Sequence, residues 1–172
     1  MPERLTGEAW ATALHNFRET AWRWEAQGVY REPYEQGPLQ QFLAGHKPDL
    51  SFMDGWLSAV RQGAGAGRRY ARVRVLTDPL TDYLRFENSF THLNVAAGEA
   101  VRVITDTRRR ELELSSEDFW LFDDEWAAPM HFDDEGFTHA DVITDTATLN
   151  RFREIRDLAW KDAVRFGDHM TK

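Results

Sequence analysis

Apolar positions early in the chain fall at helical spacing. Trp10, Leu14, Phe17, Ala21 and Trp24 stand 4, 3, 4 and 3 residues apart, predicting a helix capped by Thr6, with Glu8 in its first turn, that ends at Gly28. Pro33, Gly37 and Pro38 then mark a connector before a short helix over Leu39 to Ala44, which Gly45 stops. Ser51 and Asp54 have capping-box spacing, with Asp in place of the usual Glu, and Trp56, Leu57 and Val60 give the next helix its apolar face. The run Gly63-Ala-Gly-Ala-Gly67 closes it.

The period then shortens. Ala71, Val73 and Val75 alternate with Arg72 and Arg74, the pattern of a strand with one face covered and the Arg face solvated. Asp78-Pro79 ends that strand, Thr81 or Asp82 caps a helix through Phe90, and Ala100 to Thr105 forms a second strand, so the unit is a parallel crossover. Thr107 to Ser116 is a charged connector. Phe119 to Phe122 and Trp126 to Phe132 predict a hairpin turning at Asp123-Asp124-Glu125, and Phe137 to Ile143 adds a third strand after the Asp133-to-Gly136 turn. Asp145 or Thr146 caps a last helix with Leu149, Phe152, Ile155, Ala159 and Ala163 on one stripe. The expected fold is α/β (α+β): N-terminal helices, then a β-α-β-β-β-α mixed sheet. Residues 1–172 form one domain in this reading, with a helical region over 1–62 and a mixed-sheet core over 68–168.

Aromatics make up 13% of the chain, with seven Trp, more than a disordered segment would carry despite 29% charged residues. There is no Cys, which removes disulfides, a thiolate nucleophile and Cys-rich zinc sites. The net charge of -8 disfavours non-specific nucleic-acid binding. The first ten residues lack a signal-peptide pattern and no stretch is long and apolar enough to span a membrane, so a cytoplasmic location is expected. Charge is segregated: residues 111 to 145 hold twelve Asp and Glu and no Lys or Arg, whereas residues 61 to 110 hold ten Arg against five acids. Like-charge blocks in one compact chain predict a dipolar surface or an internal ion-pair network.

Three constellations follow. The acidic hairpin carries Asp118, Asp123, Asp124, His131, Asp133 and Asp134. Carboxylates with an imidazole suit a divalent metal that activates water, and Asp118, Asp123, His131 and Asp133 are the candidate ligands; paired Asp residues are equally ordinary turn formers. Apart from that metal no cofactor is expected. The second set, Tyr83, Arg85, Glu87, Asn94, Glu99 and Arg102, surrounds the crossover helix, where open sheets favour ligand crevices. Arg85 would hold a carboxylate or phosphate through paired hydrogen bonds, or these charges would form an ion-pair lattice between helix and sheet. Trp120 joins this ligand set, and with Trp22 and Trp24 it offers an aromatic cage, against which core packing is the simpler reading of Trp24. The third is cationic: Arg68, Arg69, Arg72 and Arg74 near one strand, and Arg108, Arg109 and Arg110 in the connector. His15, His46, His92, His139 and His169 show no metal-ligand spacing.

The strings Arg72-Val-Arg-Val-Leu-Thr-Asp-Pro-Leu-Thr-Asp-Tyr-Leu-Arg85, Asn94-Val-Ala-Ala-Gly-Glu99, Asp118-Phe-Trp-Leu-Phe-Asp123 and Met130-His-Phe-Asp133 resemble a functionally uncharacterised actinobacterial domain family, over nearly the whole chain. Its members often accompany helix-turn-helix regulators and small acidic proteins, so the resemblance implies a regulatory role and such partners. More distantly, the order of elements is similar to a phospholipase-D-like half-domain. That fold's catalytic His-x-Lys is missing, since Phe132 and Asp133 follow His131.

The resulting expectation is a non-catalytic regulatory or interaction domain that binds a partner protein or small anionic ligand in a charged cleft. The alternatives are a metal-assisted hydrolase or nuclease built on the acidic hairpin, and a nucleic-acid-binding effector.

Overall fold

The computed structural model describes residues 1–171. The expected crossover is present: β3 (Arg69–Leu76) and β4 (Ala100–Thr105) lie parallel, joined by α4 (Asp82–Ala97). The Thr81 hydroxyl accepts from the Leu84 N–H at 3.0 Å and starts α4, which continues well past Phe90 until Gly98, at φ 120°, ends it. The expected meander is present too. β5 (Phe119–Phe122), β6 (Trp126–Asp133) and β7 (Gly136–Asp141) pair antiparallel in sequence order, with a bulge at His131/Phe132.

The first predicted helix is corrected. α1 (Gly7–Ala13) is short, and residues expected to extend it form β2 (Thr20–Glu25), in the interior of the sheet. β2 runs parallel to β3 and antiparallel to β5. The reason is burial on both faces: Trp22 and Trp24 pack on one side, while Ala21, Arg23 and Glu25 point to the other, so no apolar-polar alternation shows the two-residue period. Phe17, which completed the helical spacing, is buried from a loop. Residues 1–62 therefore are not a purely helical region; β1 (Arg4–Leu5) also pairs with β7.

Two smaller departures follow known local rules. α2 (Pro33–Leu43) begins earlier than Leu39 because Pro33 occupies the first helical turn, where its missing N–H costs nothing. The charged connector contains α5 (Asp106–Glu111), capped by the Thr105 hydroxyl. The remaining elements are a 3-10 turn at Ser51–Met53 leading into α3 (Asp54–Gly65), α6 (Thr146–Asp162), β8 (Val164–Arg165) and α7 (Phe166–Met170).

Among the described residues the strands form one mixed sheet in the order β1-β7-β6-β5-β2-β3-β4-β8. One face carries Ala21, Tyr70, Trp120 and Phe122 against α1, α3 and α4; the other carries Trp24, Val73, Val75 and Leu121 against the Leu149, Ile155, Ala159 stripe of α6. The solvated Arg face expected for β3 is corrected as well. Arg72 and Arg74 are 6% and 2% exposed, covered by α4. No helix among the described residues is long and apolar enough to cross a membrane.

Candidate functional site

Strand register builds a charged floor under the α2–α4 layer. β2 and β3 set Arg23 beside Arg72 and Glu25 beside Arg74, and β2 and β5 set Arg23 beside Trp120. Glu25 has no solvent exposure; one carboxylate oxygen accepts from Arg74 Nε at 2.7 Å and the other from Arg72 Nη1 at 2.8 Å. Arg72 also donates to Glu99, which accepts from Asn94 Nδ2 at 2.9 Å. The polar stripe of α4 closes over Arg74, which donates to Asn88 Oδ1 at 3.0 Å and Thr91 Oγ1 at 2.6 Å and lies 3.3 Å from Glu87 Oε1. Asp118, at the start of β5, accepts from Tyr30 Oη at 2.5 Å, the Ala26 N–H at 2.8 Å and Arg23 Nη2 at 3.1 Å.

The carboxyls divide by neighbourhood. Burial alone would push Glu25 up, but Arg74, Arg23 and Arg72 outweigh it and hold Glu25 well below the usual carboxylate range. Burial pushes Glu87 well up despite Arg74, and the Glu25 charge adds to the rise. Two carboxyls sharing one guanidinium are thus pushed in opposite directions, Glu25 down and Glu87 up. Burial likewise raises Glu35, on α2, to about 7, against the hydrogen bond it accepts from Tyr83 Oη at 2.7 Å.

Above the floor is a recess of about 420 Å³. Aromatic rings wall it, among them Trp10, Trp56, Trp120, Tyr30, Phe132 and Phe137, and Glu32, Tyr34 and Glu35 of the α2 start also line it. The Arg23 guanidinium lies between the Tyr30 and Trp120 rings, 5.6 and 5.8 Å from their centroids. Two buried polar atoms of the lining find no partner, Arg23 Nε and Glu87 Oε2. Volume, aromatic walls and a few convergent polar groups are the ordinary attributes of a small-molecule site.

Of the expected ligand residues, Tyr83, Glu87, Asn94 and Trp120 line the recess, and Glu99 lies beneath it, bonded to Arg72 and Asn94. Arg85 and Arg102 do not. Arg85 is on the exposed side of α4 and bonds Asp82, while Arg102 donates to the Trp160 carbonyl and stacks on that indole at 3.9 Å. The Trp trio does not form a cage, because Trp22 and Trp24 pack against the opposite sheet face from Trp120. Arg23, Glu25, Tyr30 and Glu35 were not among the expected site residues, and a solvated cationic set, apart from this ligand set, was expected for Arg72 and Arg74. The signal for the last two was present: an Arg-x-Arg alternation in a strand with β-branched neighbours fits a buried polar face as well as a solvated one.

The four expected metal ligands do not converge as a set. Asp118 belongs to the floor; Asp123 accepts three backbone N–H groups, from Arg18, Glu19 and Thr20, at 2.7 to 3.1 Å; Asp133 caps its own turn at the Glu135 N–H. His131 instead bonds Asp141 at 2.8 Å and stacks on His139 at 4.4 Å. His131, His139 and Asp141 are the one trio among the described residues that could share an ion. The cationic set disperses too. Arg108 pairs with Asp162 and Glu111, and Arg109 and Arg110 with Asp106. Arg68 and Arg69 line a second hollow of about 770 Å³, on the α6 side of the sheet, with Trp22 and Trp160.

These features define the class: an α+β domain whose mixed sheet carries a buried ion-pair floor beneath an aromatic recess. The chain belongs to the family described as a domain of unknown function, DUF6879, whose profile matches residues 8–171. Comparison with curated proteins gives no match.

Proposed function

We propose that the chain is a non-catalytic regulatory domain that binds a small molecule in the aromatic recess. The observation that carries this reading is the recess itself, with two unpartnered polar atoms, Glu87 Oε2 and Arg23 Nε, among its aromatic lining. A buried group without a partner costs about 1–3 kcal/mol, so a ligand that satisfies it is favoured by that amount. The floor ions hold one another through short contacts, which suits a rigid, preorganised binding surface. A regulatory role in the cytoplasm, with ligand occupancy read by a helix-turn-helix regulator or a small acidic protein, completes the proposal.

One observation favours a second, enzymatic reading: Glu35 is lifted to about 7 beside Tyr83 in the recess, which is where a general acid or base is poised. A metal-assisted reaction at the hairpin has weaker support, since its candidate acids are spread over separate structural tasks.

A thermal-shift screen of polar metabolites separates these readings. The binding domain requires at least one compound that raises the melting temperature of the wild type but not of Phe132→Ala or Tyr34→Ala, and that is recovered unchanged. Absence of any shift across the screen, or turnover of the bound compound, would overturn it.

A further inference from the structure

The recess contains more acid than base. Its floor and lining bring together six carboxyls, Glu25, Glu32, Glu35, Glu87, Glu99 and Asp118, against three guanidiniums, Arg23, Arg72 and Arg74. The guanidiniums are already engaged: Arg72 by Glu25 and Glu99, Arg74 by Glu25, Asn88 and Thr91, and Arg23 by Asp118. Among them Arg23 Nε alone lacks an acceptor, and an anion seeking paired hydrogen bonds from any of the three would have to displace a buried carboxylate. Arg85, whose paired hydrogen bonds motivated an anionic ligand in the sequence, lies outside the recess, as does Arg102. What remains without a donor is a carboxyl oxygen, Glu87 Oε2, in a residue 9% exposed. The walls also have the right character. Arg23 lies between two aromatic rings, so this lining already accommodates a flat cation.

We propose that the recess binds a small organic cation, an ammonium or guanidinium group on an apolar body, with its charge seated at Glu87 and Glu35 among the aromatic walls. This rests on the recess being a ligand site. The cation takes the place of protons. Glu87 faces Arg74 from β3, Glu25 from β2 and Glu35 from α2, and burial pushes its carboxyl well up, toward the form that carries a proton. Glu35 faces Tyr83 of α4, Glu25 and Arg23 of β2, and Glu32, and it holds its proton to about 7. A donor at Glu87 Oε2 makes that proton redundant, so binding releases protons and tightens as pH rises.

The test is calorimetric titration of the full chain with 2-phenylethylammonium and with phenylacetate, its counterpart of similar size and opposite charge. Each titration is run in two buffers of different ionisation enthalpy. The ammonium is expected to bind with net proton release, more tightly at about pH 8 than at about pH 6, while phenylacetate gives no binding heat. Glu87→Gln, which keeps the shape of the protonated acid, is expected to melt close to the wild type yet bind the ammonium roughly tenfold or more weakly, as loss of a hydrogen bond to a charged group entails. Glu35→Gln is expected to flatten the pH dependence. Phenylacetate binding in place of the ammonium, or ammonium binding indifferent to Glu87→Gln, overturns the cation assignment. A neutral or anionic metabolite whose thermal shift depends on Phe132 and Tyr34 would also overturn it while leaving the ligand-binding function intact. No binding by either probe, together with an empty metabolite screen, overturns both.

Discussion

Glu25 holds two guanidiniums at once with no solvent exposure, so its removal leaves Arg72 and Arg74 only partly paired in the interior. Deleting one partner of a buried ion pair costs about 3–5 kcal/mol, and Glu25→Ala is expected to lose that much in urea denaturation. Glu35 acts in the opposite sense. Its folded-state value of about 7 lies above the ordinary 4.5, so between those values the folded state binds more protons than the unfolded chain and stability falls as pH rises. Glu35→Gln removes that loss. Relative to the wild type it is expected to gain on the order of 2–3 kcal/mol as pH moves from about 4.5 to about 7, measured by denaturation at several pH values. The sequence marked Glu87, Asn94 and Glu99 as site residues because they flank the crossover, and Trp120 as an aromatic ring able to stack on a ligand. It could not place Glu25 and Asp118 in the same floor, because their contacts span long separations, from Arg72 back to Glu25 and from Asp118 back to Arg23.

Local period decided which elements could be read. β4, the meander and α6 carry clear alternation or a clear stripe, and they occur where expected. β2 hides its period because apolar Trp22 and Trp24 serve one core while Arg23 and Glu25 enter a buried polar layer on the other side. A strand covered on both faces has no solvated residues to mark alternate positions. The same burial makes Trp24, fully enclosed and donating to the Ser115 carbonyl at 2.8 Å, a sensitive position: Trp24→Ala is expected to cost about 3–5 kcal/mol. The end of α4 gives an independent check on helix packing. Gly98 adopts φ 120°, and a side chain there would meet the Ala64 Cβ at 2.9 Å, so Gly98→Ala is expected to lose about 1–3 kcal/mol in the same assay.

Charge segregation along the chain does not become two opposed lobes. Part of the Arg block turns inward to Glu25, Glu87 and Glu99, and part pairs with Asp106 and Asp162; several acids of the 111–145 block pair with Arg18, Arg23, Arg153 and Arg156. Each block is largely neutralised by segments outside the other. With an overall charge of -8, a low-salt mobility-shift assay is expected to leave DNA and RNA unretarded. The recess is what this arrangement preserves, with sheet, α2 and α4 all contributing to one hollow. Native mass spectrometry of the wild type and Phe132→Ala, each mixed with a small-molecule extract of producing cells, tests that claim most directly. A small non-covalent adduct on the wild type, absent from the variant, is the result expected; a bare wild-type mass, or an adduct equally present on Phe132→Ala, would contradict it.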